Sequence, residues 1–324
     1  MKRRVFSGTR PTGRQHLGNY LGAIQNYVSL QDEYECIYCI VDLHALTTLE
    51  DTSSLQTNIY DLIVDWLAAG LDPEKSILFV QSHVPEVTEL HTLLSMVTPL
   101  GWLLRVPTFK EKARIQPQNV NYGLVGYPVL MTSDIVLYKA EVVPVGEDQL
   151  PHLEIAREIA RRFNSIFGDT FPEPEAKLTS FPLILGLDGK MKMSKQLDND
   201  VELALSEKET IERIKTAVTD PARIYLKDPG HPEICNIFTL QGYFNAYQLD
   251  DIARRCRSAD IGCVDCKVLL ATEVNNSLRP FREKRQTLAA NPKYVHEVLG
   301  DGAQRAAVIA RETLREVKQR MGLI

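Results

Sequence analysis

Residues 36–41 read Cys36-Ile37-Tyr38-Cys39-Ile40-Val41, six apolar positions without a polar break. A strand with one wet face alternates apolar and polar residues. An unbroken run implies burial on both faces, as in a parallel sheet covered by helices. Working outward, Arg4–Ser7, Cys36–Asp42, Ser76–Gln81, Val142–Val145 and Pro182–Leu187 carry the β-branched and aromatic residues of strands. Gly18–Leu30, Ser53–Ala69, Glu86–Val97 and Leu150–Phe163 repeat apolar residues at helical spacing. Ser53 reads as the N-cap of the second helix and Gly70 as its stop. The alternation predicts an α/β domain with a doubly wound parallel sheet over residues 1–196. Beyond it, Val201–Val218, Phe238–Arg257, Lys267–Leu288 and Gly302–Met321 are helical patterns. They predict a smaller all-helical domain over 197–295 and a C-terminal helix, 296–324, packing back toward the first domain.

The 324 residues are 44% hydrophobic and 24% charged, a balance that excludes a mostly disordered chain. No apolar run approaches the ~20 residues that span a bilayer, so neither a membrane span nor a membrane partner is expected. Met1-Lys2-Arg3-Arg4-Val5-Phe6 lacks the apolar core of a secretory signal, and a cytoplasmic location is expected. A net charge of −5 offers no bulk attraction to nucleic acid, which would need a local basic face. Six cysteines in such a chain point to thiols, a metal or a cluster rather than disulfides.

Two segments carry chemistry. Phe6-Ser7-Gly8-Thr9-Arg10-Pro11-Thr12-Gly13 leads from a strand through a turn into a helix that opens near His16, Gly18 and Asn19. Unpaired N–H groups at a helix start seat phosphate, and a glycine there lets a nucleotide approach the backbone. Lys190-Met191-Lys192-Met193-Ser194-Lys195-Gln196 gathers three lysines on one loop, the means to clamp departing phosphates. In this order the two resemble the HIGH and KMSK signatures of class I aminoacyl-tRNA synthetases, whose catalytic domain is Rossmann-type. The surrounding stretches FSGTRPTGRQHLGNYLGAI, CIVDLHALT, YPVLMTSDIVLY and VPVGEDQLPHLEIAREIARRFN resemble the bacterial-type tryptophanyl branch. The fourth HIGH position is Asn19, and Gln196 replaces the last serine of KMSKS.

The resemblance implies an ATP-dependent ligase. It would activate tryptophan to its adenylate using ATP with Mg2+, release pyrophosphate, and charge tRNA(Trp) as a homodimer, with no DNA partner. It places Arg10, Pro11, Thr12, His16, Gly18, Asn19, Gly146, Glu147, Asp148 and Leu183 around ATP. Lys192, Met193, Ser194, Lys195 and Gln196 form the pyrophosphate loop, with His16, Asn19, Lys192 and Lys195 as the catalytic set. Lys110 and Lys112 are further phosphate candidates. Tryptophan is a large apolar ring with one N–H donor, so its pocket needs shape plus one acceptor. Asp134 is that acceptor, with Phe6, His44, Tyr127, Met131, Val143, Val145 and Gln149 around it. The competing readings are a tyrosyl-tRNA synthetase and a catalytically silent tRNA-binding paralogue.

Cys235, Cys256, Cys263 and Cys266 are separated by 20, 6 and 2 residues. Four thiolates suit structural zinc or an iron–sulfur cluster, and spacing alone does not decide. Together with Ile261–Lys267 (IGCVDCK), the spacing resembles the subset of tryptophanyl-tRNA synthetases that carry a 4Fe–4S cluster in the anticodon-binding region. Cys36 and Cys39 lie in the buried strand and read as small hydrophobes. Arg254, Arg255, Arg257 and Lys267, with Arg279, Arg282, Lys284, Arg285 and Lys293, form the local basic groups that tRNA contact would require.

Overall fold

The computed structural model describes residues 2–115, 117–178 and 183–324, with only the backbone at Asp148. Five strands form one sheet: β1 (Arg4–Thr9), β2 (Glu35–Ile40), β3 (Ser76–Val80), β4 (Val142–Val145) and β5 (Glu175–Leu178). Their spatial order is β3-β2-β1-β4-β5. Every pairing is parallel, with Val5 opposite Cys36 and Cys36 opposite Ser76. β2 is buried from Cys36 to Ile40, as its unbroken apolar run demands. Chain order reverses between β1 and β4, and in such sheets ligands bind beyond the carboxyl ends of the strands at that point.

The fifth strand departs from the sequence reading. It is Glu175–Leu178, a mostly exposed edge whose polar residues hide it from any hydrophobic pattern. Of the expected 182–187 strand, Pro182 lies outside the described residues. The remainder folds back on the lysine loop, with Gly186 N donating to Met191 O at 2.8 Å and Met193 N to Ile184 O at 2.9 Å.

The main helices are α1 (Leu55–Ala69), α2 (Glu86–Ser95), α3 (Tyr122–Leu137), α4 (Leu150–Phe167), α5 (Glu207–Lys215), α6 (Asn236–Phe244), α7 (Leu249–Arg257), α8 (Cys263–Ala289) and α9 (Pro292–Arg320); residues 17–30 are also helical, as expected, and Pro107–Ile115 is a further helix that carries Lys110 and Lys112. Ser54, not Ser53, occupies the cap position of α1, while Gly70 ends it at φ +112° as expected. α3 was hidden by Pro128 inside it and by its nearly all-round apolar character. The 238–257 pattern breaks into α6 and α7. Residues 201–203 run extended rather than helical, because they pair with the 15–17 turn, and 203–205 turn into α5.

The chain forms two units: Met1–Gly13, Tyr27–Ser180 and Asn291–Ile324 make the first, Arg14–Asn26 and Phe181–Ala290 the second. This division differs from boundaries at 196 and 295, since the His16 turn and the lysine loop belong with the helical unit. In the first unit α9 lies directly on β3. A Cβ added at Gly302 would fall 1.9 Å from the Leu78 carbonyl oxygen, so only glycine permits that approach.

Candidate active site and cysteine cavity

In the first unit, polar side chains collect at the carboxyl ends of the strands. The turn after β2 buries His44, the turn after β3 buries Gln81, and α3 supplies Tyr127, Met131 and Asp134. Asp134 is 2% exposed. Gln81 Nε2 donates to its two carboxylate oxygens at 2.9 and 2.7 Å and lies 2.9 Å from His44 Nδ1. His44 Nδ1 is 3.4 Å from Asp134 Oδ2. Burial holds the Asp134 carboxyl well above the usual range, partly offset by Gln81. Burial also pushes His44 down to about 3, leaving a neutral ring at physiological pH. His44 Nε2 is buried without a hydrogen-bond partner. The Tyr127 ring stands edge-on to His44 with centroids 4.9 Å apart.

Basic groups face the same aromatic wall. Lys112 Nζ lies 4.8 Å from the Tyr127 ring centroid, and its pKa is lowered first by burial and then by Arg10. Arg10 donates to Thr48 Oγ1 at 2.5 Å, while its Nε is buried without a partner. A small cavity opens beside Lys112, Tyr127 and His152. Phe6 and Val143 are buried; Phe6 stacks on Tyr138 at 5.5 Å. Met131 and Val145 pack partly buried against the core. Pro11 is buried and Thr12 exposed after β1. Gly146, Glu147 and Gln149 form the turn after β4, where Gln149 N donates to Gly146 O. The Asp148 side chain lies outside the described ones. Gln81 was not anticipated; its only sequence signal is a polar residue closing a fully apolar strand.

In the second unit the two signature segments meet. His16 caps its helix start: Nδ1 accepts from Asn19 N at 3.2 Å, and Asn19 Oδ1 accepts from His16 N at 3.1 Å. Burial lowers the His16 pKa. Gly18 N donates to Met193 Sδ at 3.2 Å, and a Cβ at Gly18 would stand 3.0 Å from the His16 ring and 3.1 Å from Met193. Buried Met193 therefore locks the lysine loop against the His16 turn, while Lys192, Lys195 and Gln196 stay exposed and Ser194 half-buried. Leu183 is exposed beside the loop. Two residues outside the motif shape it. Asp188 accepts from Lys190 N and Met191 N, and Asn199 accepts from Ser194 N at 2.7 Å while donating to Asp188 and to Lys192 O.

Cys235, Cys256, Cys263 and Cys266 all line one cavity of this unit. Arg223 Nη1 lies 3.9 Å from Cys263 Sγ, and Gln241 Nε2 lies 3.6 Å from Cys266 Sγ. Burial, then the facing cysteines, push Cys266 up to about 11 despite Gln241. Among the described residues no three His, Cys, Asp or Glu side chains are placed to hold a single metal ion. The basic groups of α7 are not free: Arg254 pairs with Asp251 and Asp260, Arg255 with Asp251, and Arg257 with Glu233. Lys267 donates to Lys215 O. Cys36 and Cys39 are buried in β2.

Residues 1–279 match the family model for class I tRNA synthetases (W and Y). The tryptophan–tRNA ligases of Deinococcus radiodurans and Thermotoga maritima are 45% and 44% identical, each over 99% of both chains. The crystal structure of tryptophanyl-tRNA synthetase from Campylobacter jejuni complexed with ADP and tryptophan is also similar. It matches with a TM-score of 0.90 at 36% identity, covering 98% of this chain and 99% of that one. The five-stranded parallel sheet and the paired signatures are those of a class I aminoacyl-tRNA synthetase. Within that class the chain belongs to the bacterial-type tryptophanyl-tRNA synthetases. No helix among the described residues is long and apolar enough to cross a membrane.

Proposed function

We propose that the chain ligates tryptophan to tRNA(Trp), with the Asp134 pocket taking the indole and the His16–Lys195 segments taking the phosphates of Mg-bound ATP. The tryptophan carboxylate attacks the α-phosphate, forming the adenylate and releasing pyrophosphate; the tRNA acceptor end then takes the aminoacyl group. The observation that carries the reading is one buried carboxyl, tied by Gln81 beneath an aromatic wall. It offers a single acceptor to a single indole N–H. A ring lacking that donor would leave the acceptor unpaired, the costly outcome on which such sites discriminate.

Lys112, Arg10 and the lysine loop supply positioning and charge stabilisation, which this chemistry needs more than a side-chain nucleophile. His16, Asn19, Lys192 and Lys195 are the groups assigned to the phosphates. Amino-acid-dependent ATP–pyrophosphate exchange tests the assignment. Tryptophan is expected to drive it; exchange driven preferentially by tyrosine, or none at all, overturns it.

The cysteine cavity is read as the seat of a 4Fe–4S cluster, with structural zinc as the alternative. What supports the reading is that four sulfurs border one cavity, where burial and then the neighbouring cysteines hold Cys256 and Cys266 above the ordinary thiol range. Such a group would fix the surface of the helical unit for tRNA, and a homodimer is the expected assembly. If Cys263→Ser removes the metal yet leaves tRNA binding and charging intact, the recognition role falls.

A further inference from the structure

Residues 201–203 run against the His16 turn. Leu17 N donates to Val201 O and Leu203 N to Gln15 O, both at 2.9 Å, with Glu202 opposite His16 in an antiparallel bridge. Residues directly opposite in such a pair project to the same side. The Glu202 carboxylate divides itself between the two signature segments: Oε1 lies 3.2 Å from Lys195 Nζ and Oε2 lies 3.7 Å from Arg14 Nη1. Its side chain is 20% exposed, against 51% for Lys195 and 48% for Arg14. The neighbouring Asp200 is engaged elsewhere, 3.6 Å from Arg213.

We propose that Glu202 is a built-in stand-in for the phosphates of ATP, holding Lys195 and Arg14 until a polyphosphate displaces it. This rests on the reading of the lysine loop as the phosphate site. A carboxylate and a phosphate oxygen ask the same thing of an ammonium or guanidinium. The internal anion thus keeps both cations placed near His16 when the site is empty. On arrival, ATP exchanges one anion for another instead of filling an uncompensated basic site, and affinity is held down by the contacts it replaces. When pyrophosphate leaves, Glu202 recaptures Lys195 and Arg14, which favours product release.

The test is Glu202→Gln, which keeps the shape and removes the charge, with Glu202→Asp, which keeps the charge and withdraws it by one methylene, as the second variant. Two quantities are read: the KM for ATP in tryptophan-dependent exchange, and the Kd of pyrophosphate alone, measured calorimetrically without amino acid. Two partly exposed ion pairs are worth little each, so Glu202→Gln is expected to lower both by roughly two- to tenfold. Glu202→Asp should shift both in the same direction by less, and the KM for tryptophan should not move. Unchanged or weaker pyrophosphate binding in both variants overturns the proposal and shows that Glu202 serves only to pin the turn. Absence of exchange in the wild-type chain would instead sink the ligase reading, with the pyrophosphate titration still reporting on Glu202.

Discussion

At the scale of single residues the pocket is governed by Gln81. It donates to both oxygens of a carboxyl that burial alone would drive toward its neutral form. Gln81→Leu removes those bonds and leaves a buried acceptor unsatisfied, a loss of ~1–3 kcal/mol. The KM for tryptophan in the exchange assay should therefore rise about tenfold or more, with the KM for ATP unchanged; an unaltered tryptophan KM would contradict this. His44 sets a pH dependence. Its folded pKa of about 3 lies below the ordinary imidazole value of 6.5, so the unfolded chain binds a proton that the folded chain refuses. Its contribution is complete above pH 6.5 and is lost as pH falls toward 3. His16 acts in the same direction and Asp134 in the opposite one. In melting curves between pH 6.5 and 4, His44→Gln should lose less Tm than the parent, and parallel losses would count against His44. Asp134, Tyr127 and His44 could be named together from the sequence because they sit in motif stretches. Gln81 was not, since its role arises only where β3 ends beside α3.

Elements show what patterning can and cannot reveal. β2 and β3 announce themselves as unbroken apolar runs because both faces are covered. β5, an edge with polar faces, gives no such signal. The lysine loop was legible as a motif, but its shape depends on Asp188 and Asn199, whose hydrogen bonds link positions eleven residues apart. The contact of α9 with β3 hangs on one position. Gly302→Ala would put a methyl group against the Leu78 carbonyl, where backbone rather than a flexible side chain must give way. Overpacking of this kind costs ~1–3 kcal/mol or more, so urea and thermal unfolding should show a drop of several degrees in Tm. Gly300→Ala, also inside α9 but with nothing within 4 Å, is the control and should hold or raise Tm, since alanine favours a helix over glycine by ~1 kcal/mol. Equal effects at the two sites would refute the close-approach argument.

Over the whole molecule, net charge and cysteine count acquire specific meanings. The α7 arginines, which read as a basic face for tRNA, are held by Asp251, Asp260 and Glu233. They are part of a solvent-exposed ion-pair network on the surface of the helical unit, so their charge is locally balanced by carboxylates. The cysteines separate into two buried strand residues and four that share a cavity. Protein purified without oxygen is expected to absorb at about 400 nm and to carry on the order of four irons per chain. Stripping the metal should reduce tRNA charging while tryptophan-dependent exchange persists. A colourless protein containing zinc would decide for the alternative.

By itself the sequence determined the parallel sheet, the two signature segments and their order, the motif stretch that carries Asp134 and the four-cysteine spacing. These are local facts, carried by residue type and short separations. Tertiary structure alone decided that Gln81 anchors Asp134, that Met193 locks onto Gly18, that Glu202 joins Lys195 to Arg14, and that Arg257 of α7 meets Glu233. Each of these is a contact between segments far apart in the chain, and whether a charge or a donor is free depends on which distant partner folding brings to it.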